Sequence, residues 1–174
     1  MTKLSVPVSP LDHHQGDPDA PCTLVEYGDY QCPTCGQAYP LIKRVQKHFG
    51  KRLLFVFRNF PLSQMHRYAE AAAETAEFAA AHNKFWEMHD LLYENQPRLG
   101  EELLQELAQQ LHLGSAKLRD ALDAKEFQPR VKADFSGGVR SGVNGTPTFF
   151  INGQRHDGAY DFNSLVAAVD LVLE

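Results

Sequence analysis

Three short runs of strand character constrain the fold more than anything else in the chain. Cys22-Thr23-Leu24-Val25-Glu26-Tyr27 and Leu53-Leu54-Phe55-Val56-Phe57 lie near the start, and Thr148-Phe149-Phe150-Ile151 lies near the end. All are β-branched, aromatic or apolar over strand length, and the second is the kind of run that is buried on both faces of a sheet. Between the first two, Tyr39 to Phe49 carries apolar residues at positions 41, 42, 45 and 49, which is helical spacing, with Gly50 as a natural stop. The opening order is therefore strand, helix, strand, a βαβ unit. Pro40 is expected to kink that helix.

From Met65 to about Val143 the pattern is helical. Tyr68 to Ala81 is rich in alanine and glutamate, with its charges read as a solvated face. Phe85, Met88, Leu91 and Leu92 form a stripe, and Leu103, Leu107 and Leu111 recur every fourth residue. Asn152-Gly153 is a two-residue hairpin signal, with Gln154 to Asp157 as the returning strand, and a final helix carries Leu165, Val166 and Val169. Sheet elements at both ends with helices between predict one fold bearing an insertion: residues 1–62 and 144–174 form the sheet domain, and 63–143 the all-helical insertion. The first ~20 residues, rich in Pro, Asp and His, read as an arm.

Composition narrows the function. A chain of 174 residues buries roughly 70% of its unfolded surface without help from a disulfide framework or a structural metal. Its net charge of −5 offers no basic field to nucleic acid. No apolar stretch approaches the ~18 residues of a membrane helix, so no membrane contact is expected. The start lacks the apolar run of a signal peptide, which predicts a cytoplasmic protein, although a chain trimmed of its export signal would look the same. Three cysteines do not make a fully paired secreted scaffold.

Two of those cysteines, in Gly28-Asp29-Tyr30-Gln31-Cys32-Pro33-Thr34-Cys35, stand between the first strand and the helix. A helix N-terminus presents unpaired N–H groups and the positive end of its dipole, so Cys32 there ionises more readily than a free thiol. The thiolate is the form that attacks disulfides, and Cys35, one turn inward, is placed to resolve the mixed disulfide. A zinc site competes for the same pair but wants a second close pair of ligands; Cys22 is isolated, and His13-His14 is not spaced for chelation. Redox chemistry fits better, with no metal or organic cofactor: the Cys32–Cys35 disulfide is itself the redox group. Cys22 reads as a small buried hydrophobe.

Taken in order, GDPDAPCTLVEYGDYQCPTC, FVFRNFPL, KFWEMHDLLYENQ and GVNGTPTFFINGQRHDGAYDFNSL resemble the DsbA-like thiol:disulfide oxidoreductases of the thioredoxin superfamily, from about Gly16 to the C-terminus. The resemblance implies a thioredoxin fold, a central mixed β-sheet flanked by helices, interrupted by a helical insertion. It implies catalysis by Cys32 and Cys35, a cis bond before Pro147, and a substrate segment paired along Thr146 next to Pro33 and Thr34. It also makes Glu26 the buried acid of the motif, a proton relay to Cys35; from the strand alone, Glu26 facing water at a sheet edge stays open.

The implied partners are protein or peptide thiols and disulfides and an unidentified redox partner, and a monomer is expected. A non-catalytic binding or chaperone module and a reductase of low-molecular-weight disulfides are the competing functions. Thr34 stands where the best-known exported oxidants carry histidine. Without that cation beside the nucleophile, a less oxidising pair is expected.

Overall fold

The computed structural model describes residues 2–174. Five strands form one mixed sheet in the order β1-β3-β2-β4-β5. Strand β2 (Cys22–Gly28) pairs in parallel with β3 (Leu53–Asn59) and antiparallel with β4 (Thr148–Ile151). The hairpin strand β5 (Gln154–Arg155) is two residues long, because the turn at Asn152-Gly153 leads almost at once into a loop. Helix α1 (Pro33–Phe49) crosses from β2 to β3 and runs unbroken through Pro40. Five helices follow: α2 (Ala69–Ala80), α3 (Phe85–Glu94), α4 (Glu101–Gln110), α5 (Ser115–Asp123) and α6 (Gln128–Arg140). Helix α7 (Phe162–Leu173) closes the described chain.

The period of two along the strands decides which side chains meet the cysteine pair. Leu24, Phe55, Phe57, Phe149 and Ile151 point to one face, into a core completed by Cys35, Ala38, Ile42 and Val45 of α1 and by Met88, Leu92 and Leu103 of the insertion. Val25, Tyr27, Leu54, Val56 and Phe150 point to the other face, where Phe60 stacks on Phe135 of α6 with ring centroids 4.2 Å apart. Glu26 shares its face with Leu24. Because β2 is the central strand, the carboxylate is buried against α1 and the open-water reading of the sequence falls away. Each large side chain sealed in these layers is worth roughly 1.5–3 kcal/mol.

The N-terminal arm is more ordered than its composition suggests. Residues His13–Gly16 form β1, an edge strand antiparallel to β3. Upstream of it, buried Arg58 donates to both carboxylate oxygens of Asp12, to the carbonyls of Val6 and Pro7, and to the Tyr27 hydroxyl. The sequence hides this strand because HHQG carries no apolar alternation; backbone pairing to β3 supplies the order instead.

The glutamates of α2 also depart from the sequence reading. Glu77 is buried, with His13 Nε2 2.9 Å from its Oε2 and the Asn59 side-chain amide donating to that same oxygen at 2.8 Å. Glu74 is buried as well. The helix lies between the sheet, α3 and α6, so its alanines allow close approach on several sides and leave little solvated face.

Candidate active site

Cys32 is the N-cap residue of α1 in an extended backbone conformation, and Pro33 occupies the first helical turn, where its missing N–H costs nothing. Lys47 and His48 in the last turn complement the other end of the helix dipole. Cys32 keeps 5% of its surface and Cys35 none. The opening is narrow, and what contact there is from outside falls on Cys32.

Four groups converge on the Cys32 sulfur. The Cys35 thiol and backbone N–H both favour its charged form. Thr34 Oγ1 lies 2.9 Å away. Across the gap, the Thr146 carbonyl lies 3.6 Å away, directly before a cis peptide bond to Pro147. Hydrogen bonding from Cys35 outweighs the burial that opposes ionisation, and the Thr146 and Thr34 hydroxyls add to it, so the Cys32 thiol is brought down to about 4. The proton stays with Cys35, whose thiol burial and the neighbouring charges push far above the usual range.

The hydroxyls distinguish the two forms of Cys32. As a thiol, Cys32 donates, and the Thr34 hydroxyl is free to donate to the Thr146 carbonyl at 3.1 Å. As a thiolate, the sulfur only accepts. Thr34 then turns its hydrogen to the sulfur, and the Thr146 hydroxyl, buried and otherwise without a partner, has an acceptor. Ionisation therefore releases the Thr146 carbonyl.

Glu26, 3% exposed, lies behind the pair. Burial first, and the Cys32 charge second, raise its carboxyl to about 8. It borders an internal cavity of about 10 Å³, shared with Gln15, Tyr39, Lys43, Gln46 and His89, about the size one water requires. Cys22, at the opposite end of β2, is sealed, and burial raises its thiol to about 11. Among the described residues no three His, Cys, Asp or Glu side chains form a cluster able to hold a metal.

Two residues that sequence reasoning passed over organise this turn. Asp29 is buried; its carboxylate accepts from the backbone N–H groups of Gln31 (2.8 Å) and Leu62 (3.0 Å), with His66 Nδ1 at 2.7 Å. Its carbonyl accepts from the N–H of Cys32 at 3.1 Å. An aspartate two residues before the N–H it accepts from, that of Gln31, is an Asx-turn signal that local reading could have found. Gln96 reaches in from the insertion, a long-range contact with no local signature.

A sheet with a central parallel pair, a cysteine pair heading the crossover helix and a cis proline facing it define a thioredoxin-fold redox protein. The sequence matches the family model described as Thioredoxin over residues 9–171. The chain belongs to this thioredoxin family. It is similar to BdbD of Bacillus subtilis in its oxidised crystal form, at 26% identity and a TM-score of 0.85, covering 93% of this chain and 92% of that one. A thioredoxin-like oxidoreductase from Silicibacter pomeroyi shares the fold at 23% identity and a TM-score of 0.80, over 95% of this chain and 94% of that one.

Among curated proteins, the Na(+)/H(+) antiporter NhaA 1 of Salinispora arenicola is 44% identical over 167 residues, 95% of this chain and 26% of that protein. A Mycobacterium sp. protein of the same name is 42% identical over 167 residues, 94% of this chain and 27% of that protein. The chain spans about a quarter of the length of these relatives.

Proposed function

We propose that the chain is a dithiol–disulfide exchange enzyme for protein or peptide substrates, using the CPTC pair through a mixed disulfide. The Cys32 thiolate attacks one sulfur of a substrate disulfide. A Cys32–substrate disulfide forms and the other substrate sulfur leaves as a thiolate. Cys35 gives its proton to the Glu26 carboxylate and attacks the Cys32 sulfur, closing the Cys32–Cys35 disulfide and releasing the second substrate thiolate. Substrate oxidation is the same sequence in reverse. Throughout, the Thr146 carbonyl freed by ionisation accepts a backbone N–H of an extended substrate beside Pro33 and Pro147.

One observation carries this reading: Cys32 heads a helix with its sulfur 2.9 Å from Thr34 Oγ1 and 3.6 Å from the Thr146 carbonyl before cis Pro147, and Cys35 lies buried one turn further in. Insulin reduction with dithiothreitol tests it. Wild type accelerates precipitation and Cys32→Ser does not; equal rates would exclude catalysis by the motif.

The 5% opening over Cys32 favours one second reading, a reductase of slim disulfides such as that of glutathione. Comparing kcat/KM for oxidised glutathione and for a disulfide-bonded peptide decides between them. The relatives' antiporter names describe far longer proteins, and no helix among the described residues is long and apolar enough to cross a membrane. Redox exchange, not ion transport, is what we assign to this segment.

A further inference from the structure

Gln96 begins a single 3-10 turn, Gln96–Arg98, between α3 and α4 of the insertion. Its side-chain nitrogen donates to the carbonyl of Tyr30 at 2.8 Å and to the carbonyl of Cys32 at 2.9 Å. With both hydrogens spent on carbonyls, the amide has one orientation, and its Oε1 faces Gly36. Gly36 leaves the room that Oε1 needs: a Cβ there would overlap Oε1 and lie 2.9 Å from Cδ. The base of the side chain is fixed too, by Pro97 and by the hydrogen bonds Arg98 N–H to Asn95 O and Leu99 N–H to Gln96 O.

We propose that Gln96 is a positioning residue through which the helical insertion sets the geometry of the turn carrying Cys32. This rests on the exchange reading above. The Cys32 carbonyl accepts twice, from Gln96 and from the Gly36 N–H at 3.0 Å that starts the helix. Those two bonds hold the peptide plane after Cys32 and so the direction of its Cα–Cβ bond, from which the sulfur reaches toward Thr34, Thr146 and Cys35. Tyr30 is buried against Phe57 and Tyr93, and its carbonyl receives its donor from Gln96. Without the amide, two carbonyls of the redox turn lose a donor, the turn relaxes, and the sulfur loses alignment with the groups that stabilise its charge. The dithiol form, which carries the thiolate, weakens against the disulfide form.

The test is the equilibrium between the protein and reduced and oxidised glutathione, with the pH profile of iodoacetamide alkylation and a thermal melt beside it. Gln96→Ala and Gln96→Leu are expected to shift the glutathione equilibrium toward oxidised protein by about three- to tenfold, which half to one unit of thiolate pKa carries, and to move the alkylation midpoint up. Gly36→Ala, which evicts the same side chain from the other partner, shifts both readouts the same way. Adding it to Gln96→Ala shifts them no further.

A folded Gln96→Leu with a lowered melting temperature but a wild-type equilibrium and alkylation profile overturns the proposal. So do strictly additive effects of Gln96→Ala and Gly36→Ala. A wild type that exchanges with glutathione while the variants match it sinks Gln96 alone. A wild type that fails to exchange sinks the oxidoreductase reading and this proposal with it.

Discussion

Replacing Glu26 by glutamine removes the buried acid behind the cysteine pair while keeping its shape. In the fold its proton is held to about pH 8, against an ordinary 4.5. The native state thus binds the proton more tightly than the unfolded chain. The sign follows: wild-type stability is undiminished below about pH 4.5, falls as the pH rises toward 8, and levels off above it. Each pH interval between those values costs the fold roughly 1.4 kcal/mol. At pH 7 the accumulated cost is roughly 3 kcal/mol, and above pH 8 roughly 5 kcal/mol.

Urea unfolding of reduced wild type and Glu26→Gln, at intervals from pH 4 to 9, reads the difference directly. The variant should match wild type near pH 4 and exceed it progressively toward pH 8. Oxidation removes the Cys32 charge, the second cause of the shift, so the gap narrows in the oxidised proteins. A difference that does not change with pH, or a wild type more stable than the variant at pH 8, refutes the reasoning. On the proposed mechanism the same substitution also slows resolution, because Glu26 is the group that takes the Cys35 proton; a loss on the order of 10²-fold in the single-turnover rate is expected.

Three further outcomes follow from particular contacts. Thr34→Val removes a hydroxyl 2.9 Å from the Cys32 sulfur; a hydrogen bond to a charged group is worth about 1.5–3 kcal/mol, so the alkylation midpoint of Cys32 should rise by about one pH unit or more. Cys35→Ser leaves the attacker without a resolver, and a substrate–Cys32 mixed disulfide should accumulate on a non-reducing gel and vanish with dithiothreitol. Asp12→Ala strands the buried guanidinium of Arg58, which should cost about 3–5 kcal/mol in urea unfolding with the cysteine chemistry unchanged.

What the sequence made legible was what local pattern encodes. The runs at Leu24, Phe55 and Phe149 alternate or saturate with apolar residues, so the strands and their order along the chain could be read, and CPTC between strand and helix placed two cysteines at the head of α1. Glu26 was recognisable as an acid in an apolar run, but only the placement of β2 at the centre of the sheet decides that it is buried. The strand at His13–Gly16 escaped because an edge strand held by backbone pairing needs no apolar side chains.

Glu77 misled for the opposite reason. Its neighbours are alanine and glutamate, as on a solvated helix, while its partners His13 and Asn59 come from distant parts of the chain. Gln96 is the same kind of case, a side chain 64 residues from the carbonyl it holds. How little of Cys32 stays open was not legible either, because helix position says nothing of the loop that sets the Thr146 carbonyl 3.6 Å from its sulfur.

The measurement closest to the heart of the account is the absorbance of reduced protein at 240 nm, where thiolates absorb, titrated from pH 2 to 10 beside Cys32→Ser. The wild type should gain one thiolate with a midpoint near pH 4, and the variant should show no such step. A first ionisation near pH 9, the ordinary value for cysteine, would mean that the head of α1 and its hydrogen bonds do not activate Cys32.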